Sequence, residues 1–225
     1  MNEQIDEYFK TAFSVTISLF IFEDGKQKVL IIKNTDEPFK NALKLPGKLV
    51  KPDESFEDAC NDILQKTINN QNLYVEQLNA FGKLYRHPLG RVIDIAFCGL
   101  LNKKTDINEI SDKLKHKWVE INEIPQLAYD HNEIIDMAQK RLKRRIKYRP
   151  IGINLLPKSF TMDELQSLYS SFLGKEFDKR NFRRKIFDLE IVKEVTKVQL
   201  NKRGRKSILY EFDTDQYNIY NKAGF

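Results

Sequence analysis

The feature that most constrains the fold is a break at Arg149-Pro150-Ile151-Gly152, where the pattern of the sequence changes. Before it, runs of β-branched and aromatic residues alternate with turns. After it, two short helical segments precede two strand-like segments. A proline followed closely by a glycine ends a helix, and 225 residues are enough for two modest domains. We therefore predict a domain at 1–148 and a second domain at 149–225.

The two predicted domains carry opposite net charges. Residues 141–225 hold 20 Lys and Arg against 10 Asp and Glu, whereas residues 1–140 hold 18 against 22. A basic second domain beside an acidic first one indicates different partners for the two. Nucleic acid and an anionic membrane surface are the candidate partners of the basic domain, and a solvated lysine-rich face is the alternative.

Several classes of protein do not fit the sequence. No apolar run reaches the roughly 18 residues of a membrane span, and the polar, acidic start does not resemble a secretion signal. Cys60 and Cys98 lie far apart, which argues against a disulfide framework or a zinc ribbon. We expect a cytoplasmic protein without a membrane partner, a metal or a cofactor.

The first domain reads as strands around one amphipathic helix. The segments Ser14–Phe22 and Val29–Lys33 flank an Asp-Gly turn and predict a β-hairpin. Apolar residues recur at three- and four-residue spacing between Glu54 and Thr67, which predicts a helix capped by Ser55 or Asp53. Further strands are predicted at 75–84, 92–101 and 118–119, and short extended segments around a loop are predicted at 43–50. A helix is predicted to begin after Asp130.

The segment Leu45–Asn70 resembles a Nudix box in which most of the acidic residues are missing. In that motif, glutamates on successive helical turns hold Mg²⁺ against a diphosphate. When the frame is set on Glu54, Lys48 takes the place of the motif's glycine and Asp62-Ile63 the place of Arg-Glu. Lys66-Thr67 takes the place of the metal-binding Glu-Glu pair. The sequence therefore predicts a helix kept for packing and no hydrolase activity; Glu54 is equally explained as a first-turn helix residue.

A ligand pocket is the remaining expectation for the first domain. Six polar residues on or beside its predicted strands and loops are candidates for effector binding: Lys33, Lys48, Glu54, Arg86, Asp94 and His131. Each of them is also compatible with a solvated position, and His131 with a capping role at the start of a helix.

The second domain carries two basic clusters in the order expected of a recognition helix and a wing. Phe182, Ile186 and Leu189 form an apolar stripe on the helix that follows Asp178, and its exposed arc is basic. Arginine pairs with guanine and asparagine with adenine, while flanking cations meet phosphates. The predicted DNA contacts are Lys179, Arg180, Asn181, Arg183 and Arg184 on the helix, and Lys202, Arg203, Arg205 and Lys206 on the hairpin tip.

Both halves together resemble the Nudix-related transcriptional regulators, the family of the NAD-metabolism repressors and the arabinose-responsive sugar regulators. The resemblance runs from about residue 12 onward and is strongest at Pro150–Pro157, with support from Arg86–Ile93, Tyr129–His131 and Phe160–Tyr169. It implies an α+β chain in which a Nudix-like α/β/α sandwich precedes a winged helix-turn-helix domain.

The same resemblance implies a function. It implies a homodimer that binds double-stranded operator DNA and responds to a sugar or nucleotide-sugar effector, and the eroded box favours the pentose-responsive branch. Two alternatives remain: a Nudix-type nucleoside diphosphate (sugar) pyrophosphatase, and an RNA-associated module that would display exposed aromatic residues for base stacking.

Overall fold

The computed structural model describes residues 10–71, 73–102, 115–148, 151–198 and 207–213. The chain divides into two compact units. The first contains the large sheet and continues through Ala138; the second begins at Gln139 and also takes in Phe22–Gln27. The expected boundary between residues 148 and 149 stays a prediction. None of the described helices is both long and apolar enough to cross a membrane.

The first unit is built on a seven-stranded sheet, with central order β3-β2-β1-β6-β5; β4 pairs with β1 and β7 with β2. The strands are β1 (Ala12–Glu23), β2 (Lys26–Lys33), β3 (Leu43–Lys44), β4 (Gly47–Leu49), β5 (Tyr74–Phe81), β6 (Val92–Leu100) and β7 (His116–Glu120). The strands β1 and β6 run parallel, with Ser14 beside Asp94 and Thr16 beside Ala96. The strands expected from the sequence are confirmed.

Helix α1 (Phe56–Ile68) packs against one face of β1. Its stripe of Ala59, Cys60, Ile63, Leu64 and Ile68 shares a core with Val15, Ile17, Leu19 and Ile21. The alternate residues Thr16, Ser18 and Phe20 are buried as well. Both faces of β1 are therefore covered, as in a layered α/β architecture. Burial raises the pKa of Cys60 to about 12, so this thiol is an inert core residue.

Local capping sets the ends of α1. The Ser55 hydroxyl accepts a hydrogen bond from the Asp58 N–H, which selects Ser55 over Asp53 as the cap. Asn69 ends the helix in the left-handed conformation, at φ 52°, a conformation in which asparagine is one of the few tolerated non-glycine residues.

The second unit has a small three-stranded sheet in the order β8-β10-β9 and two short helices. These elements are β8 (Phe160–Thr161), α3 (Met162–Leu173), α4 (Lys179–Asp188), β9 (Val192–Val198) and β10 (Ser207–Phe212); α2 (His131–Tyr148) comes before them and continues from the first unit. A capping box of Thr161 and Glu164 begins α3, and Gly174 ends it at φ 65°. The predicted order of two helices followed by a hairpin is confirmed.

Candidate ligand site and candidate nucleic-acid interface

The first polar cluster lies where the resemblance predicts a metal site. Lys48 on β4 reaches back to the start of α1, where its Nζ donates to Glu54 Oε1 at 2.6 Å and to Asp62 Oδ2 at 2.8 Å. Lys66 Nζ, one helical turn after Asp62, donates to the same oxygen at 2.8 Å. Glu54 and Asp62 are therefore both bonded to a lysine ammonium group.

The charges of this cluster stabilise one another. Hydrogen bonds to Asp62 and Glu54 raise the pKa of Lys48 above its ordinary value. Hydrogen bonds from Lys48 and from the Lys51 N–H lower the pKa of Glu54, and those from Lys48 and Lys66 lower that of Asp62. The cluster is therefore a hydrogen-bonded network of two lysines and two carboxylates, with Lys66 at its exposed edge.

This donor set does not fit a divalent metal ion. Mg²⁺ takes oxygen ligands in near-octahedral geometry, but Ile63 and Thr67, at two of the motif's glutamate positions, are buried at 5% and 3% exposure. Ile63 belongs to the core under β1. Among the described residues, no group of three or more His, Cys, Asp or Glu side chains is arranged to hold a metal ion.

The second polar cluster surrounds the N-terminus of α2. Arg86, in the loop between β5 and β6, donates from Nε and Nη2 to both oxygens of Asp130, at 2.9 and 2.5 Å. Both side chains are almost fully buried, at 3% and 8% exposure. A buried bidentate pair of this kind holds the β5–β6 loop against the beginning of α2.

Asp94 on β6 lies beside this ion pair. Its Oδ1 accepts hydrogen bonds from Ser14 Oγ at 2.5 Å and from Thr16 Oγ1 at 2.8 Å, while Oδ2 has no hydrogen-bond partner within the described part of the chain. Burial raises the pKa of Asp94, although its hydroxyl partners and the nearby Arg86 oppose that shift. An open oxygen on a buried carboxyl has a cost that a ligand or a water molecule would relieve.

His131 is held as a neutral structural group. Its Nδ1 accepts a hydrogen bond from the Leu45 N–H at 3.0 Å, and burial lowers its pKa to about 3. Its ring lies 5.1 Å from that of Tyr129, which in turn stacks on His87 at 5.3 Å and 17°. The contact to Leu45 ties the start of α2 to the residues that open the box.

The two clusters meet at Gly47. A Cβ on this residue would lie 2.8 Å from the Val15 carbonyl oxygen and 2.9 Å from Thr16 Oγ1. Only glycine fits this approach of β4 to β1. Thr16, which is buried against Gly47, bonds to Asp94 in one cluster, and Lys48, which follows Gly47, belongs to the other.

The structure thus groups five of the six residues that the sequence predicts for effector binding. Lys48 and Glu54 lie in the first cluster, and Arg86, Asp94 and His131 lie in the second. Lys33 ends β2 opposite Leu43 and makes no side-chain hydrogen bond or ion pair with other described residues. Their predicted role in binding remains a prediction, because grouping alone does not identify a ligand.

Three contributors to this region were not among the six candidate residues, although the sequence pointed to the segments that contain Tyr129, Asp130 and His87. They are Asp130, the partner of Arg86; the Tyr129–His87 stack; and Lys44, whose pKa is lowered by burial. The sequence indicated the segment Tyr129–His131 as part of the family resemblance. It did not indicate that Asp130 pairs with Arg86, because the two residues are 44 positions apart in the chain.

The candidate nucleic-acid interface is the exposed arc of α4. The Asp178 carboxylate caps this helix by accepting from the Asn181 N–H at 2.9 Å, and Phe182 and Ile186 anchor it in the core. The five residues predicted to contact DNA are all exposed: Lys179, Arg180, Asn181, Arg183 and Arg184. The predicted tip residues Lys202, Arg203, Arg205 and Lys206 lie outside the described residues.

Four of these side chains have partners within the second unit. Lys179 pairs with Asp163 at 3.3 Å, and both side chains are more than three-quarters exposed. Arg184 Nη2 reaches Asn181 Oδ1 at 3.4 Å. Arg183 Nη2 donates to Tyr210 Oη on β10 at 3.0 Å. The first two contacts are weak and solvated, whereas the third ties the helix to a buried side chain.

Known proteins resemble this chain in its second unit and over nearly its whole length. Residues 152–212 match the family model described as the NrtR DNA-binding winged helix domain. The ADPR responsive transcriptional repressor NtrR of Acinetobacter baylyi is 26% identical over 220 residues, which cover 96% of this chain and 88% of that protein.

Solved structures of NrtR also resemble this chain. The crystal structure of Shewanella oneidensis NrtR complexed with a 27mer DNA has a TM-score of 0.79 at 27% identity and covers 92% of this chain and 95% of that one. The Nudix domain of that protein, in complex with ADP ribose, matches 63% of this chain at 25% identity, with a TM-score of 0.51.

An enzyme is also among the relatives. The ADP-ribose pyrophosphatase of Methanocaldococcus jannaschii is 30% identical over 127 residues, which cover 54% of this chain and 70% of the enzyme. The predicted fold class, a Nudix-like domain followed by a winged helix, is confirmed by these comparisons. The expectation of a pentose effector finds no support in them.

Proposed function

Because this chain belongs to the NrtR-like family of Nudix-related transcriptional regulators, we propose that it is a repressor whose Nudix-like domain binds ADP-ribose and thereby changes its affinity for operator DNA. The observation that carries the proposal is the likeness over more than nine-tenths of the chain to a relative crystallised with DNA. ADP-ribose replaces the pentose as the proposed effector.

The DNA-binding half of the proposal is supported by the exposed basic arc of α4. Its capped N-terminus and buried Phe182 and Ile186 fix the helix, so that its basic residues face solvent together. Contacts of Lys and Arg with phosphates give affinity that falls as salt rises, and arginine and asparagine can read base edges. Two copies bound as a homodimer would place two such helices on the half-sites of a pseudo-palindromic operator.

The ADP-ribose half is supported by two relatives, the A. baylyi repressor described as ADPR responsive and the S. oneidensis Nudix domain complexed with ADP ribose. In this chain, the Asp94 Oδ2 is a buried acceptor without a partner among the described residues, and Tyr129 and His87 stack their rings. A ribose hydroxyl or a base amino group is suited to such an acceptor.

We also propose that the Nudix-like domain binds without hydrolysis. The support is Lys48, whose ammonium bonds to both Glu54 and Asp62, together with the burial of Ile63 in the core. The alternative, a pyrophosphatase, is favoured by the 30% identity to the M. jannaschii enzyme.

The deciding experiment measures DNA affinity with and without ligand. A cognate duplex is first selected by the protein from a random pool, and its dissociation constant is measured by fluorescence anisotropy with ADP-ribose, ADP, ribose or arabinose. We expect ADP-ribose to change the constant by about 5- to 150-fold, the usual range of allosteric coupling. An equal response to arabinose and none to ADP-ribose would restore the pentose, and no selectable duplex would refute the regulator.

Hydrolysis is tested in the same preparation. ADP-ribose is incubated with the protein and Mg²⁺, and AMP is quantified by chromatography, with Glu54→Gln as the control for the box. We expect no AMP above background from either protein. Turnover by the native chain that is lost in Glu54→Gln would establish the pyrophosphatase instead.

A further inference from the structure

Tyr210 is held rigidly at the centre of the small sheet. It lies on β10, the strand that pairs with both β8 and β9, and only 2% of the residue is exposed. Phe187, on α4, packs its ring 5.8 Å from the tyrosine ring at 57°. The backbone of Tyr210 pairs with Phe160 on one side and Glu194 on the other. The position of its hydroxyl is therefore set by the core of the unit.

That hydroxyl holds an exposed arginine. Arg183 Nη2 donates to Tyr210 Oη at 3.0 Å, and Arg183 lies on the solvent-facing arc of α4. A guanidinium carries five N–H donors in a planar fork. One bond to Tyr210 holds one end of the fork in place and leaves the remaining donors available to another acceptor.

An arginine fixed in this way differs from its neighbours on α4. Lys179 bonds to an exposed carboxylate, and Arg184 bonds to Asn181 on its own helix. A flexible arginine loses rotamer freedom when it binds, whereas one already held by a buried partner loses less. Bidentate recognition of guanine or phosphate also depends on the orientation of the plane.

We propose that Tyr210 is a positioning residue for DNA recognition: its buried hydroxyl orients the Arg183 guanidinium so that the free edge of the fork is presented to the operator. This rests on the proposed function, DNA binding through α4, and adds a residue that need not touch DNA itself. The Phe187 ring, packed against Tyr210, supports the same geometry from the helix side.

The test compares Tyr210→Phe, Arg183→Ala and the double variant in the full chain. Each is titrated against the selected duplex and against a scrambled duplex at several salt concentrations. We expect Tyr210→Phe to weaken operator binding about 3- to 10-fold, as for one hydrogen bond, with no change in the salt dependence because the charge of Arg183 remains. Arg183→Ala should weaken binding further, and adding Tyr210→Phe to it should have no additional effect.

The matched control is Tyr169→Phe. This tyrosine also packs on α4, with its ring 5.5 Å from Phe182, and burial raises its pKa to about 12. Losing its hydroxyl should leave operator affinity unchanged. Thermal melting of each variant shows whether the unit still folds.

Three results would overturn the inference. They are operator affinity unchanged by Tyr210→Phe, equal losses in Tyr210→Phe and Tyr169→Phe that follow a lowered melting temperature, and additive losses in the double variant. Operator binding by Arg183→Ala as tight as that of the native chain would overturn it as well. Failure of the proposed function is a separate result: no duplex would be selected by the native chain.

Discussion

At the scale of single residues, Lys48 determines what the degenerate box can bind. Its ammonium lies within hydrogen-bonding distance of both Glu54 and Asp62. The lysine ammonium therefore balances two carboxylates that would otherwise repel each other, one just before α1 and one in the middle of it. The lysine ammonium is a compact charge with three N–H donors. Two of these donors can bond to the two carboxylates, and the third can face solvent.

We predict that Lys48→Met raises the pKa of both Glu54 and Asp62 toward their ordinary values of about 4. In the native protein their pKa values are lowered, so the stabilisation they provide is present above pH 4 and is lost as pH falls through the lowered values. Carboxyl carbon chemical shifts followed by NMR against pH measure this directly. Lys66→Met is the control, because Lys66 bonds to Asp62 and should leave Glu54 unchanged.

Asp94 is predicted to have the opposite dependence on pH. Burial raises its pKa in the folded state, so folding is disfavoured as pH rises from about 4 toward that raised value. Asp94→Asn keeps an oxygen for Ser14 and Thr16 and removes the charge. Urea unfolding between pH 4 and 8 should show this variant gaining stability relative to the native chain as pH rises.

The control for that series is Asp62→Asn. Since the folded-state pKa of Asp62 is lowered, its replacement should cost more stability as pH rises, a slope of opposite sign. Parallel slopes for the two variants would contradict the assignment. Asp94→Leu, which leaves the hydroxyls of Ser14 and Thr16 without an acceptor, should cost about 1–3 kcal/mol at pH 4, and this cost should shrink as pH rises because the native chain loses stability.

At the scale of elements, α4 departs from the usual distribution of charge along a helix. Anionic side chains favour the first turn and cations the last turn, because of the helix dipole. The first turn of α4 has no acidic residue and begins with Lys179 and Arg180. Local rules of this kind are broken at functional sites, where a partner supplies the compensation. The Asp178 cap supplies one negative charge here, and a phosphate at the helix N-terminus would add to it.

We predict that the Asp178 cap stabilises the first turn of α4. Asp178→Ala removes the bond to the Asn181 N–H and should lower the free energy of unfolding by about 1 kcal/mol. Asp178→Asn retains a capping oxygen, so its free energy of unfolding should fall by only about a few tenths of a kcal/mol. That smaller loss reflects the missing interaction of a negative charge with the helix dipole. Urea unfolding followed by circular dichroism measures both, and equal losses in the two variants would show that the cap is not what stabilises α4.

The elements were predictable from the sequence where their signals are local. Ser55 and Asp178 cap α1 and α4, Gly174 ends α3, and Asp24-Gly25 joins the first hairpin, each through contacts within a few residues. The strand β8 escaped prediction because it has two residues and exists through its pairing with β10.

The contacts of the candidate site were not predictable in the same way. The sequence placed Lys66 and Thr67 where the motif has its metal-binding glutamates, which is an argument from residue identity alone. That Lys48 bonds to Glu54 and Asp62 follows from how β4 folds back over α1, and the pairing of Arg86 with Asp130 follows from how a loop meets the start of α2. Such pairings depend on tertiary packing, which spacing along one sequence does not encode.

At the scale of the whole molecule, the chain consists of two compact units with separate cores. The first is built around the seven-stranded sheet and carries the candidate ligand site, whereas the second has the three-stranded sheet and α4. A ligand that binds one folded unit stabilises that unit by mass action. Chains with two units need not unfold in one transition.

This arrangement predicts which transition each ligand shifts. Trp118 is the only tryptophan in the sequence and lies on β7 in the first unit, so its fluorescence reports unfolding of that unit. ADP-ribose at 100 times its dissociation constant should stabilise the Trp118-monitored transition by about 2.7 kcal/mol. The selected duplex should instead stabilise the unfolding transition of the second unit. That transition is followed through the tyrosine absorbance change that the native chain shows and Tyr169→Phe lacks. An ADP-ribose effect confined to the second unit would place the effector site outside the Nudix-like domain and refute the proposed sensor.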